Sequence, residues 1–337
     1  MHTQNVSVEH LQCFPWQVGQ WRQLVSQFRQ QRLGHAFLLC GSPGLGKYSF
    51  AEKFAQFLLC KQPDQYACGN CSGCHLWAAN NHPDLLRITP EESGKNIKID
   101  QVRAMVDFIS KTAQRTGYKI VIIAPAEALN KAAANALLKS LEEPSGKVIF
   151  FLISHQPGIL PATILSRCQR LNFLADAESA LWLSEQLKES AQLDAHLLLK
   201  ISEYAPLQAL ALVNSRYLDL RNQLLQHLLG VAQGTASLLT PVAGFLKQDL
   251  LKWTEAFISL LTDLLRLKLQ ADKTWLVNQD CLPDLQKISQ HCNFYSLLEL
   301  LTKLISARQW LLNAQIHLNN QLLVESLLIY FQQAVSS

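Results

Sequence analysis

The chain has 337 residues, 49% of them hydrophobic, 17% charged and 8% aromatic, a folded composition long enough for two or three domains and not one core. A net charge of +4 is short of the dense Lys/Arg stripe of a protein that grips nucleic acid by itself. Nine unevenly placed cysteines exclude a secreted disulfide scaffold. Met1–His10 has no basic head before an apolar run, and the uncharged stretch Asn222–Leu246 is broken by Gln223, Gln226, His227, Gln233 and Pro241. Neither reads as a signal peptide or a membrane span, so a cytoplasmic protein is expected.

In chain order, the first strong element is Ala36–Cys40, a short apolar strand that runs into Gly41-Ser42-Pro43-Gly44-Leu45-Gly46-Lys47. This is the G-x-x-x-x-G-K spacing. Small residues let backbone N–H groups wrap phosphate oxygens at a helix N-terminus, and the lysine adds a point charge. Gly41, Gly44, Gly46 and Lys47 are therefore the candidate ATP or ADP contacts. The helix that follows carries Phe50, Phe54, Phe57 and Leu58 on one face. A working site needs Ser or Thr directly after the lysine to ligate Mg²⁺. Here that residue is Tyr48, and Ser49 lies about 100° further round the helix.

Cys60, Cys68, Cys71 and Cys74 then give C-x7-C-x2-C-x2-C, with Gly69 and Gly73 at tight turns. Two C-x-x-C knuckles suit tetrahedral coordination of Zn²⁺, and four thiolates leave no position open for a substrate, so a structural zinc site is expected. A redox pair and an iron–sulfur cluster are the alternatives. Cys13, Cys40, Cys168, Cys281 and Cys292 read as small buried apolar side chains, and His75 and His82 are left without a ligand role.

Leu85–Ile88 reads as a strand and Asp100 as the N-cap of a helix carrying Val102, Met105, Val106 and Ile109. Tyr118–Ala124 is a buried strand. Metal-binding acids belong at its end, and Ala124-Pro125 stands there. Lys131–Glu143 is a helix stopped by Pro144, and Val148–Ile153 a third apolar strand. Continuous apolar strands separated by helices imply a parallel sheet covered on both faces. Beyond Leu174 the chain turns Leu-rich and helical, with breaks near Ala205-Pro206, Gly230–Pro241 and Cys281–Pro283. The clearest helix there is Asp249–Leu269, striped by Leu250, Trp253, Phe257, Leu261, Leu264 and Leu265. The fold class expected is an α/β P-loop domain over residues 1–174, with a zinc module at 60–74, followed by two all-α domains at 175–215 and 216–337. The last domain is expected to oligomerise through outward apolar residues such as Trp310, Leu311 and Leu318.

The order of phosphate loop, four-Cys insertion, Asn135–Pro144 (NALLKSLEEP), Phe150–Ser154 and Thr163–Cys168 (TILSRC) closely resembles the clamp-loader subunits of bacterial DNA polymerase III, within the AAA+ family. The resemblance covers at least residues 30–175. Its ATPase members, of the tau/gamma type, carry a small hydroxyl after the lysine and Asp-Glu at the end of the later strand. Tyr48 and Ala124-Pro125 depart from both, and the sensor arginine expected near Pro206 is not evident. The pattern is that of the delta-prime type. The resemblance implies a small helical lid, a C-terminal collar, and a pentamer with tau/gamma-type ATPases and a delta subunit that loads the sliding clamp onto primed DNA. It also implies that Arg167 reaches a neighbour's ATP while the chain's own loop is inactive. Two other readings stand beside it. An active AAA+ ATPase would hydrolyse ATP on its own, and a zinc-containing nucleic-acid-binding scaffold would need a strong basic groove.

Overall fold

The structure, a computed structural model, describes residues 12–336 apart from 93, 116, 145, 189–193, 238–241 and 313–317. The Met1–His10 segment and part of the Gly230–Pro241 break thus lie outside the described residues. By compactness the chain divides into two units, Met1–Trp182 and Leu183–Ser337.

In the first unit, helix α1 (Val18–Arg29) precedes strand β1 (Ala36–Cys40), then α2 (Lys47–Leu59), α3 (Ser72–Ala78), β2 (Leu85–Ile88), α4 (Ile99–Ser110) and β3 (Lys119–Ile123). After them come α5 (Lys131–Glu142), β4 (Val148–Ser154), α6 (Ala162–Leu165) and β5 (Gln169–Asn172), and α7 (Ala177–Gln186) crosses the division at Trp182. The five strands form one sheet in the order β2-β3-β4-β1-β5, all pairs parallel, with Ala36 opposite Phe150 and Phe37 opposite Gln169.

Period-two alternation divides the apolar strands between two layers. Phe37, Leu39, Ile120, Ile122 and Phe151 pack with Trp21 and Leu24 of α1 and Phe50, Phe54 and Phe57 of α2. Leu38, Cys40, Val121, Ile123, Phe150 and Leu152 pack with Val102 and Met105 of α4 and Leu137 and Leu141 of α5. The expected α/β sheet with both faces covered is what forms. One local expectation is corrected. Lys98 is the N-cap of α4, with Asp100 inside the first turn and paired with Arg103, because Ile99 already has helical backbone. The strand β5 has no apolar run: only Leu171 of its four residues is buried, as suits an edge strand with a wet side.

The second unit is helical: α8 (Ala195–Ile201), α9 (Pro206–Asn214), α10 (Tyr217–Ala232), α11 (Val242–Phe245) and α12 (Leu250–Lys268), then α13 (Leu282–His291), α14 (Phe294–Leu312) and α15 (Asn320–Ser336). Asp249 caps α12 through the N–H groups of Leu251 and Lys252. The α12 face bearing Trp253, Phe257, Leu261 and Leu264 is core, with Leu297, Leu300 and Leu304 of α14 and Phe331 of α15. Buried Arg221 is matched by Asp280 and Asn278, and buried Asp263 accepts from the backbone of Val277 and Asn278, so these charges are compensated. The outward apolar residues of α14 are Tyr295, Leu298, Ile305 and Leu312 with Trp310, whereas Leu311 and Leu318 are half-buried. The outer stripe follows from the 3.6-residue turn once Leu297, Leu300, Leu304 and Ala307 face inward. Among the described residues no helix is long and apolar enough to cross a membrane.

Candidate functional site: a closed phosphate loop, a four-cysteine cluster and an outer arginine

The phosphate loop leaves the carboxyl end of β1, where open parallel sheets bind ligands. Gly41, Gly44 and Gly46 have φ of 148°, 80° and 74°, the region that favours glycine. A Cβ on Gly41 would stand 2.5 Å from the Phe173 carbonyl oxygen, and one on Gly46 2.7 Å from the Phe14 ring. The loop is braced from outside by Trp16 Nε1 and Gln17 Nε2, which both donate to the Leu45 carbonyl at 3.1 and 2.8 Å. Phe14 stacks on Trp16 with centroids 4.9 Å apart, and Trp182 meets both edge-on.

Lys47 is 2% exposed. Its Nζ donates to the carbonyls of Gly41 and Ser42 at 2.5 and 2.7 Å and meets His155 Nδ1 at 2.9 Å. Burial brings its pKa down to about 8, against the opposing pull of Glu127, so at neutral pH the ammonium is still charged and still donating. The positive charge that would meet a phosphate is spent on the loop's own carbonyls and a histidine. The Tyr48 phenol is turned to the Glu52–Arg87 pair, and burial and Glu52 raise its pKa; that pair is bidentate, at 2.6 and 2.8 Å. A protonated phenol so placed is no metal ligand. Past β3, the nearest acid is Glu127, whose Oε1 accepts from the His155 N–H at 2.8 Å. Neither His155 nor Glu127 was indicated by the sequence: they lie 108 and 80 residues beyond Lys47 and join it only through the fold.

Cys60, Cys68, Cys71 and Cys74 come together with all four Sγ atoms within 4.8 Å of one another. Tetrahedral thiolates about 2.3 Å from one zinc stand about 3.8 Å apart. The Sγ–Sγ distances for Cys71–Cys74, Cys60–Cys71 and Cys68–Cys74 are 3.5, 3.9 and 4.0 Å, too long for disulfides. Backbone N–H groups of Lys61, Cys68 and Cys74 point at Cys71 and Cys60 sulfurs, the support that orients metal-bound thiolates. Burial raises the Cys60 and Cys74 thiols. At Cys71 burial is outweighed by the N–H groups of Lys61 and Cys74, which hold it at about 6. The donor set fits a metal ion, and His75 and His82 are outside it. Gly73 sits against the last turn of α2: a Cβ there would be 2.3 Å from the Leu59 carbonyl oxygen.

Arg167 follows α6 and precedes β5, whose first residue pairs with Phe37 near the start of β1. It therefore lies at the amino edge of the sheet, while the phosphate loop leaves the carboxyl edge after Cys40. The strand between spans about 13 Å at ~3.3 Å per residue. Arg167 Nη1 donates to the Thr163 carbonyl at 2.9 Å and to Ser166 Oγ at 3.2 Å, and Nη2 pairs with Glu142.

A glycine-turned phosphate loop on a parallel β2-β3-β4-β1-β5 sheet, followed by an inserted four-cysteine cluster, defines an AAA+-type P-loop protein. The family described as "DNA polymerase III, delta subunit" matches residues 16–177, and the one described as "DNA polymerase III, delta subunit, C terminal" matches 215–333. The chain is 38% identical over 333 residues to DNA polymerase III subunit delta-prime of Pseudomonas aeruginosa, covering 94% of this chain and 96% of that one. It is 35% identical over 335 residues to the same subunit of Yersinia pestis, at 96% of each. A solved DNA polymerase III gamma subunit-related protein of Thermotoga maritima superposes with TM-score 0.49 at 20% identity, over 93% of this chain and 99% of that one. The chain belongs to the family of DNA polymerase III delta-prime subunits.

Proposed function

We propose that the chain is the non-hydrolysing delta-prime member of a cytoplasmic DNA polymerase III clamp loader and supplies Arg167 to the ATP site of a neighbouring tau/gamma-type subunit. Its partners are those ATPases and a delta subunit, and through the complex it serves primed DNA and the sliding clamp. The observation that carries this reading is that Arg167 and the chain's own phosphate loop occupy opposite edges of one sheet. A guanidinium so placed is poised for a neighbour and not for its own loop. Phosphoryl transfer spreads charge over the γ-phosphate oxygens, which a planar donor fork from outside stabilises. The closed state of Lys47 and the orientation of Tyr48 support the absence of hydrolysis by the chain itself, with Gly41, Gly44, Gly46 and Lys47 left as a structural turn.

In this reading the Cys60, Cys68, Cys71 and Cys74 site holds Zn²⁺ and contributes folding energy, with no step of chemistry. Residues 1–174 form the AAA+ domain, 175–215 a lid and 216–337 the collar that joins the subunits. The outward stripe Tyr295, Leu298, Ile305 and Leu312 on α14 supports collar assembly, because steps of three and then seven residues keep one helix face, as in a seam between helices. The test is Arg167→Ala in a reconstituted complex. Assembly and zinc content should stay as in the wild type, and DNA-stimulated ATP hydrolysis should fall about tenfold. That is less than the ~10³–10⁵ of isolated GTPase fingers, because other sites keep their own arginines. Arg167→Lys should recover little, since one ammonium cannot present a planar fork. Wild-type turnover and clamp loading by the Ala variant would refute the trans-acting role.

A further inference from the structure

We propose that Glu142 is the positioning residue for Arg167, an inference that rests on the trans-acting reading above. Glu142 is the last residue of α5 and Glu143 its C-cap. A helix C-terminus carries the negative end of the dipole and favours cations, so two successive carboxylates there break a local rule. Such a break calls for a compensating use. Glu142 has one in Arg167 Nη2, which it holds in an ion pair.

The guanidinium is gripped from two sides, and the two grips differ in kind. Thr163 and Ser166, which hold Nη1, belong to α6 and its C-cap, the same short segment that carries Arg167. By themselves they tie the side chain only to its own four-residue helix. Glu142 ties it to α5, whose buried Ala133, Leu137 and Leu141 pack on the sheet. A donor fork fixed against a rigid element is held more closely than one fixed to a loop. The pair is also open to an incoming ligand, with side-chain exposures of 33% for Arg167 and 49% for Glu142. A free arginine loses most of its rotamer freedom on meeting a phosphate. One already held has less to lose when charge develops in the transition state. Glu142 thus acts through Arg167 and touches no substrate.

Steady-state ATP hydrolysis by the complex, assembled with primed DNA and clamp, separates the possibilities. Glu142→Ala should lower kcat about fivefold, the scale of one partly exposed ion pair, with KM for ATP unchanged. Glu142→Gln retains an acceptor oxygen at the same reach on a half-exposed side chain, and should fold as the wild type and recover most of kcat. In an Arg167→Ala background Glu142→Ala should have no further effect, the signature of two residues acting as one unit. If Arg167→Ala leaves turnover unchanged, the trans-acting reading fails and this one with it. If Arg167→Ala lowers turnover but Glu142→Ala does not, or raises it, or lowers it equally without Arg167, only the positioning role is wrong.

Discussion

Lys47 and His155 define each other's protonation. A charged ammonium 2.9 Å from Nδ1 must donate, so that nitrogen must accept, and the ring is neutral with its proton on Nε2. Burial lowers the His155 pKa and the Lys47 charge lowers it further, against the weaker pull of Glu127. As pH falls below the ordinary histidine value of about 6.5, the unfolded chain takes up a proton that the folded chain resists. Stability is therefore undiminished above that pH and declines below it, until the lowered folded pKa is passed. Thermal melts between pH 8 and 5 should show this decline. His155→Asn, which keeps an acceptor near the Nδ1 position but cannot titrate, should flatten that part of the curve. An unchanged slope in the variant would remove His155 from the account. The loop's spacing and its missing hydroxyl were legible because a motif is local. The distant partners were not: His155 lies 108 residues beyond Lys47, and at the other edge of the sheet Glu142 lies 25 positions before Arg167. No local pattern marks such pairs.

At the scale of elements, the sheet was readable where a strand is buried on both faces. All residues of β1, β3 and β4 are buried, so each appears as an apolar run, with Lys119 and Ser154 the polar residues at the ends of β3 and β4. The edge strand β5 offers one buried residue and gave no signal. The four-cysteine cluster was equally plain, since its residues fall within one short segment. What the structure adds is how the cluster is seated. The indole N–H of Trp21 donates to the Gln65 carbonyl at 2.9 Å, and the Tyr66 ring stacks on Trp21 at 5.0 Å. Gly73 meets the end of α2 with no room for a side chain. Chelation should therefore release one zinc per chain and change the Trp21 environment, while the β-sheet signal persists. The measurements are elemental analysis and tryptophan fluorescence, with Trp21→Phe as the control that identifies the reporter. Protein purified without added metal that carries no zinc, or shows an iron–sulfur absorption band, would contradict this.

For the whole molecule, the helical half was readable as texture and not as arrangement. A leucine stripe says that a helix buries a face, but not which neighbour it meets. Hence Trp310, Leu311 and Leu318 looked outward in the sequence, but of these only Trp310 is exposed, and Tyr295, Leu298, Ile305 and Leu312 are left outside with it. In the proposed reading, function is divided in the same way between what the chain's own loop has lost and what Arg167 keeps. The chain's own loop lacks a metal-facing hydroxyl at Tyr48 and carboxylates at Ala124-Pro125, the two means of placing Mg²⁺ and orienting water. It is also closed, with Lys47 engaged by Gly41, Ser42 and His155 and the Leu45 carbonyl held by Trp16 and Gln17. The two defects are separable by experiment. The isolated chain should hydrolyse ATP no faster than background. Restoring the metal groups alone, by Tyr48→Thr with Ala124→Asp and Pro125→Glu, should leave it there, because the Lys47 ammonium remains committed to the Gly41 and Ser42 carbonyls and to His155. A restored variant with Lys47-dependent turnover near that of ordinary P-loop ATPases would show that the metal groups were the sole deficiency and that the closed loop opens freely. Turnover by the unaltered chain that vanishes in Lys47→Ala would overturn the non-hydrolysing assignment itself.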